Sequence, residues 1–270
     1  MHKLTALGHV VYFGINTQCS YSWSAQTGAV PVPFDFGCDN SITSAVTSVL
    51  KAEHRIDTLL YNTKIPLFGA LELVSFETAE RYLNETLVGL ARFQNAVLPS
   101  MRAQNAGRII ILNNYCDDES DILRGWENVV AAGEKAMVNA LTHELINTSI
   151  SVELLTVFFF IKGNERPYNQ LNKQLHNSAI PHLLDMFVHD IQLSFETAPD
   201  FTEYVDRIAN ALIAPPPQNQ RAGGISTLLG KKGKCCSGPL AKTHEKYYPL
   251  DLKKYYAAHK RFFKKALIFD

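Results

Sequence analysis

At 270 residues, with 46% hydrophobic and 19% charged side chains, the chain can bury a sizeable core, which excludes disorder throughout. Its longest apolar run, Val152 to Ile161 interrupted by Glu153 and Thr156, is about half of what a bilayer-spanning helix requires, so no transmembrane segment is expected. Net charge is zero but unevenly spread, because residues 218–270 hold 12 Lys/Arg against 3 Asp/Glu and the rest holds 14 against 23.

In chain order, residues 4–14 are mildly apolar but lack the charged flank and small-residue cleavage site of a signal peptide, so a soluble cytoplasmic protein is expected. Beyond them, apolar runs of strand length alternate with segments of helical period, the pattern of a parallel sheet covered by helices on both faces. Strands are expected near His9–Phe13, Thr58–Tyr61, Arg108–Leu112 and Ser151–Phe159. The second and third are nearly all apolar, as strands covered on both sides must be. Asp39, Asn40 and Ser41 offer capping oxygens to a helix with Ile42, Val46, Val49 and Leu50 on one face. Two long helices are expected from Phe76 to Arg102 and from Trp126 to Asn147, and another over Gln170 to Leu193. A further helix, Phe201 to Ala214, stops at Pro215-Pro216-Pro217, where amide hydrogens are missing.

Residues 1–217 therefore read as one body. Residues 218–240, rich in Gly and Lys and without periodicity, read as a linker. Over 241–270, Leu252, Tyr255, Tyr256, Phe262, Phe263, Ala266 and Leu267 recur at helical spacing, with Lys253, Lys254, Lys260, Arg261, Lys264 and Lys265 between them. That is the pattern of a basic amphipathic helix. Its targets are the acidic body, an anionic membrane or an acidic partner protein. No nucleic-acid partner is expected, because no reading motif accompanies the charge.

The five cysteines, Cys19, Cys38, Cys116, Cys235 and Cys236, have neither disulfide-framework nor metal-ligand spacing. His176, His182 and His189 follow one another at six and seven residues, not the helical pair spacing of a metal site. No metal is expected.

Several segments between Phe34 and Thr156 occur in the order and near the spacing of one known family. Phe34-Asp35-Phe36 with Asp39 is similar to a "D-V-T/S-D" strand end, and Arg55 through Lys64 to "R-I-D-v-L-v-N-N-A-G". Thr86-Leu87-Val88-Gly89 through Met101 matches "N-l-x-G…a-v-L-P-x-M", and Gly107 through Asn114 matches "G-R-I-v-n-i-S-S". Ala131-Ala132-Gly133-Glu134-Lys135-Ala136 stands where "Y-x-A-S-K-A" belongs. On these segments the chain resembles the short-chain dehydrogenase/reductase superfamily. The resemblance implies a Rossmann-like three-layer α/β/α sandwich with a mostly parallel sheet. It also implies association, as a homo- or hetero-oligomer, through the two long helices.

The resemblance further implies a catalytic set of tyrosine, lysine, serine and asparagine. Here the tyrosine position is Ala131, which has no proton to exchange. Lys135 persists, the serine position falls on Asn114 and the asparagine position on Thr86. Tyr115 is a stand-in for the missing phenol by position alone. On the cofactor side only Gly14 of the glycine loop remains, with Asp35 and Asn62 at the other contact positions. Between Gly14 and Asp35 lie 20 residues, too few for the family's elements, so the first βα region is expected to be shortened by one unit. Tyr61-Asn62-Thr63-Lys64 replaces a small-residue turn, and Phe158-Phe159-Phe160 occupies a turn that normally admits the cofactor. These departures predict a binding, scaffolding or regulatory pseudoenzyme without cofactor. The alternative is an NAD- or NADP-dependent oxidoreductase with relocated proton transfer through Tyr115, or through Lys64 and Lys135.

Overall fold

Along Gly107–Asn113 the side chains alternate between two buried surfaces, with Ile109 and Ile111 on one and Ile110 and Leu112 on the other. A strand buried on both faces requires a covering layer on each side. The computed structural model, which describes residues 1–16, 28–63, 67–113, 123–156, 201–215, 224–227 and 265–269, supplies both. Its elements in chain order are α1 (His2–Ala6), β1 (Val10–Asn16), β2 (Val30–Phe34), α2 (Asp39–Glu53), β3 (Thr58–Tyr61) and α3 (Phe76–Leu83). A π-turn (Asn84–Val88) leads into α4 (Gly89–Gln104), followed by β4 (Gly107–Asn113), α5 (Gly125–Glu144) and β5 (Ile150–Thr156). The remaining elements are α6 (Phe201–Ile213), β6 (Gly224–Thr227) and β7 (Lys265–Phe269).

One layer is built by α2, α4 and α5. Ile42, Val46 and Val49 of α2, Leu90, Phe93, Val97 and Met101 of α4, and Val138 and Leu141 of α5 cover Phe34, Leu59, Tyr61, Ile109, Ile111, Val152 and Leu154. On the opposite face Leu4 of α1 and Leu212 of α6 join Val11, Leu60, Ile110, Leu112 and Leu155. Each fully buried side chain of this size stabilises the fold by about 1.5–3 kcal/mol. The result is the expected Rossmann-like α/β sandwich.

All strand pairs are parallel, in the order β2-β1-β7-β3-β4-β5-β6. A doubly wound sheet runs 3-2-1-4-5-6 by chain order. β2 and β1 thus hold the third and second places, β3 the fourth, and β7 the central place that normally belongs to the first strand. Two described strands, rather than three, thus precede β3, in keeping with the expected shortening by one βα unit; only its place is corrected, because β1 and β2 pair directly, Gly14 with Val32, and the strand missing from the order is the central one.

Three further expectations are corrected. Residues 265–269 are a strand rather than the end of an amphipathic helix, since each backbone partner needed by Lys-Ala-Leu-Ile-Phe is offered by β1 and β3. The segment 218–240 contains β6, paired to β5 from Glu153↔Gly224 to Thr156↔Thr227. The helix expected from Phe76 to Arg102 is interrupted by the π-turn at Asn84–Val88. The helix expected over Gln170–Leu193 lies outside the described residues.

Candidate active site

Open parallel sheets bind ligands outside the carboxyl ends of their strands, where the strand order reverses. Here that point lies between β7 and β3. The residues after β3 border it, the end of β4 lies one strand further on, and the turn after β2 stands at the same carboxyl edge beyond β1.

The turn after β2 is internally tied. Asp35 Oδ1 accepts from the Gly37 N–H at 2.8 Å, and the Asp35 N–H donates to Ser41 Oγ at 2.9 Å. Ser41 therefore holds the strand end; the first turn of α2 has no side-chain cap at Cys38. Arg92 of α4 fastens this turn to the π-turn by donating Nη1 to Phe36 O and Asn84 O, both at 3.1 Å, and Nη2 to Asn84 Oδ1 at 2.9 Å. Its Nε also pairs with Asp39.

The residues after β3 depend on Tyr61. Its ring is fully buried against Phe36 and Phe93, at centroid distances of 6.1 and 5.9 Å. Its hydroxyl donates to Thr86 O at 2.6 Å and lies 3.1 Å from Glu85 O. A π-turn withdraws carbonyls from the regular helical ladder, and buried carbonyls need replacement donors. Tyr61 and Arg92 supply them. Gly89 permits the approach, because a Cβ there would stand 2.9 Å from the Tyr61 hydroxyl. Burial is the largest influence on the Tyr61 phenol and pushes its pKa well up, with Glu134 and Glu85 adding to it and Thr63 and Arg92 opposing. Tyr82 is likewise raised by burial first, then by Glu127 and Glu134, with Arg124 opposing. Both phenols stay protonated at neutral pH.

At the end of β4, Asn113 Nδ2 donates to Glu134 Oε2 at 2.7 Å and to Ala131 O at 3.1 Å. Both partners are on α5, where Glu127, Val130, Ala131, Glu134, Val138 and Leu141 are all buried. A second carboxylate on that stripe, Glu127, accepts from Arg124 Nε at 2.6 Å and from the Leu67 N–H at 3.1 Å. Close contact between α5 and the π-turn is made at Gly133, where a Cβ would stand 2.8 Å from Leu87 Cδ2.

Of the residues expected from the sequence, Ala131 and Thr86 are buried and Lys135 is half-buried on α5. Thr86 Oγ1 donates to Tyr82 O at 2.6 Å, so its proton is committed within the helix rather than offered to the cleft. Asn62 follows β3 and Asp35 follows β2, both at the sheet edge. Gly14 is a correction, since it lies inside β1, paired with Val32 and Phe269, and not in a turn after the central strand. Asn114, Tyr115, Lys64 and Phe158-Phe159-Phe160 lie outside the described residues. Sequence reasoning missed Glu134 as the partner of Asn113. The readable signal was a pair of glutamates, Glu127 and Glu134, on the otherwise apolar stripe of α5.

Among the described residues no group of three or more His, Cys, Asp or Glu is placed to hold a metal ion. No helix among them is long and apolar enough to cross a membrane. For a dinucleotide the deciding residue is Tyr61, which replaces a small residue of the family pattern. Its ring points beneath the sheet edge into the Phe36 and Phe93 cluster, so its bulk does not occupy the edge.

Comparison with known proteins agrees with this geometry. The ketoacyl reductase HetN of Nostoc sp. is 21% identical over 142 residues, which are 53% of this chain and 50% of that protein. The 3-ketodihydrosphingosine reductase of Bacteroides thetaiotaomicron is 30% identical over 112 residues, 41% of this chain and 40% of that protein. The chain thus spans half or less of the length of these curated relatives. The crystal structure of L-sorbose reductase from Gluconobacter frateurii, complexed with NADPH and L-sorbose, superposes with a TM-score of 0.61 at 17% identity, covering 82% of this chain and 86% of that one. That likeness shows the fold. The family profile described as short chain dehydrogenase matches residues 9–157, more than half of the sequence, and the chain belongs to the short-chain dehydrogenase family.

Proposed function

We propose that this protein binds a nicotinamide dinucleotide across the carboxyl edge of its sheet and interconverts a ketone and an alcohol on an apolar substrate. The observation that carries the reading is the doubly wound strand order, with its reversal between β7 and β3 bordered by Asn62 and with Asp35 at the same carboxyl edge. The ketoacyl and ketodihydrosphingosine reductases supply the substrate class, and the NADPH of the sorbose reductase complex supplies the cofactor class.

A bound reduced nicotinamide supplies hydride chemistry at a carbonyl carbon. What this chain must add is a proton at the carbonyl oxygen and a fixed position for the ring. Residue 131 cannot donate a proton. In this reading Tyr115, two residues beyond Asn113 in sequence, donates it, and Lys135 binds the ribose and lowers the phenol pKa. Asn113 holds the end of β4 against α5 through Ala131 O and Glu134. The test is NADPH consumption by the full chain with medium-chain β-keto substrates. Turnover should be lost in Tyr115→Phe while NADPH binding persists, and binding should weaken about tenfold or more in Lys135→Ala. Turnover unchanged in Tyr115→Phe removes Tyr115 from the role.

A second reading, a binding or regulatory protein without turnover, is favoured by Ala131 itself. Dinucleotide binding with no turnover on any carbonyl substrate selects it. Association through α4 and α5, and engagement of an acidic protein or anionic membrane by the basic segment 241–264, rest on the family resemblance and on charge. Native mass measurement and vesicle co-sedimentation test them.

A further inference from the structure

The central place of the sheet is filled in an unusual way. β1 and β3 do not pair with each other; each pairs with β7, from Val10↔Lys265 to Gly14↔Phe269 on one side and from Thr58↔Ala266 to Tyr61↔Phe269 on the other. Among the described residues every ladder hydrogen bond joining the β2-β1 half of the sheet to the β3-β4-β5-β6 half therefore runs through this five-residue strand. Its neighbours come from the first quarter of the sequence and β7 from its last residues.

Contacts other than those of β7 also join the two halves. On the outer layer α2 packs with α4 in one core with Phe34, Leu59 and Phe93, and Arg92 bonds to Phe36 O across the same boundary. Tyr12 of β1 donates its hydroxyl to Glu53 of α2 at 3.0 Å. The gap between β1 and β3 is thus framed by contacts that β7 does not make, and it offers two facing rows of backbone donors and acceptors to one parallel strand. Backbone pairing of this kind is how a sheet accepts an added strand. Residues 228–264 join β6 to β7. That length, extended, reaches on the order of 100 Å, whereas the four strand spacings between β6 and β7 amount to about 19 Å.

We propose that the gap between β1 and β3 is a strand-acceptor site whose ligand is the protein's own last strand, Lys265–Phe269, and that its insertion assembles the switch point. The second half of this proposal rests on the dinucleotide reading above. Phe269 stands in register with both Gly14 and Tyr61, so the carboxyl end of β7 forms the floor between the Asp35 turn and the residues after β3. Strand insertion and dinucleotide binding then favour each other by the same factor.

The test is amide hydrogen exchange on the full chain and on Leu267→Pro, which removes a ladder N–H at the residue in register with Tyr12 and Leu59. Exchange in β1 and β3 should accelerate by about tenfold or more while β4 and β5 keep their wild-type rates. NADPH should slow exchange in β7 of the wild type and have no such effect in the variant. Wild-type rates in β1 and β3 of Leu267→Pro overturn the acceptor site. Should Leu267→Pro lose protection everywhere, the paired substitutions Val11→Cys and Ala266→Cys, which are in register, decide the matter by peptide mapping after mild oxidation. A disulfide within one chain supports the proposal; no disulfide, or one formed only between two chains, overturns it. Slow β1 and β3 exchange that depends on residue 267 but ignores NADPH keeps the acceptor site and overturns its coupling to the switch point, and a melting curve that NADPH also leaves unmoved refutes the dinucleotide reading itself.

Discussion

The most exacting test of the fold is the ion pair buried between the sheet and α6. Arg108 and Glu153 have side chains only 4% and 6% exposed, and their pairing is two-pronged, Nε to Oε1 at 2.7 Å and Nη2 to Oε2 at 2.8 Å. Arg108 Nη1 also donates to Leu212 O at 3.1 Å and Ala214 O at 2.8 Å, closing the last turn of α6. In Glu153→Leu the guanidinium stays buried without its counter-charge, and in Arg108→Met the carboxylate does. Breaking such a pair from one side costs about 3–5 kcal/mol, far more than the pair itself contributes. For a chain of this size that lowers the melting temperature by roughly 6–20 °C. The double variant removes both charges and should be more stable than either single one. It should still fall about 1–3 kcal/mol short of the wild type, because the α6 carbonyls lose their donor. Urea unfolding of the four proteins at neutral pH measures all of this. Single variants within about 1 kcal/mol of the wild type would refute a dry, paired site and with it the docking of α6 on β4 and β5.

Tyr61→Phe leaves the ring in place but strips the π-turn of its donor to Thr86 O. A loss of about 1–3 kcal/mol in thermal or urea unfolding is expected, and an unchanged stability would mean that the carbonyl finds another partner. Glu85 provides a pH signature. Burial raises its pKa above 4.5, Asp35 adds to the rise and Arg81 opposes it. The folded protein therefore holds this proton more tightly than the unfolded chain, so stability declines as pH rises from the unfolded value through the raised one. Glu85→Gln should flatten that decline and leave the protein more stable than wild type at neutral pH, as melting temperature against pH will show; a variant with the wild-type slope contradicts the assignment.

Where hydrophobic pattern and local geometry coincide, the fold was legible. β3 falls on Thr58–Tyr61 as expected because its four residues are all buried, and the apolar stripe of α2 matches its expected face. β7 was hidden for a physical reason. Ala-Leu-Ile-Phe is a short apolar run inside a basic segment of helical spacing, and such a run becomes a strand only through partners more than 200 residues away. β6 is four residues long and begins with glycine, which gives no period to read. The π-turn has no local signature either, since it exists through Tyr61 and Arg92 reaching in from other elements. At the candidate site the identities at positions 131, 135 and 86 were readable, but the Asn113 bridge to Glu134 was not, because pairing across β4 and α5 is a product of packing. The misplacement of Gly14 has the same origin as that of β7: a strand's place in a sheet is set by its neighbours, not by its rank in the chain.

The dinucleotide site can be tested directly by thermal unfolding of the full chain with and without NADPH. A ligand at a hundredfold its dissociation constant stabilises the native state by about 2.7 kcal/mol. The melting temperature should then rise by roughly 5–11 °C, and Asp35→Lys should shrink the rise. A melting curve that millimolar NADPH and NADH both leave unmoved would contradict the site.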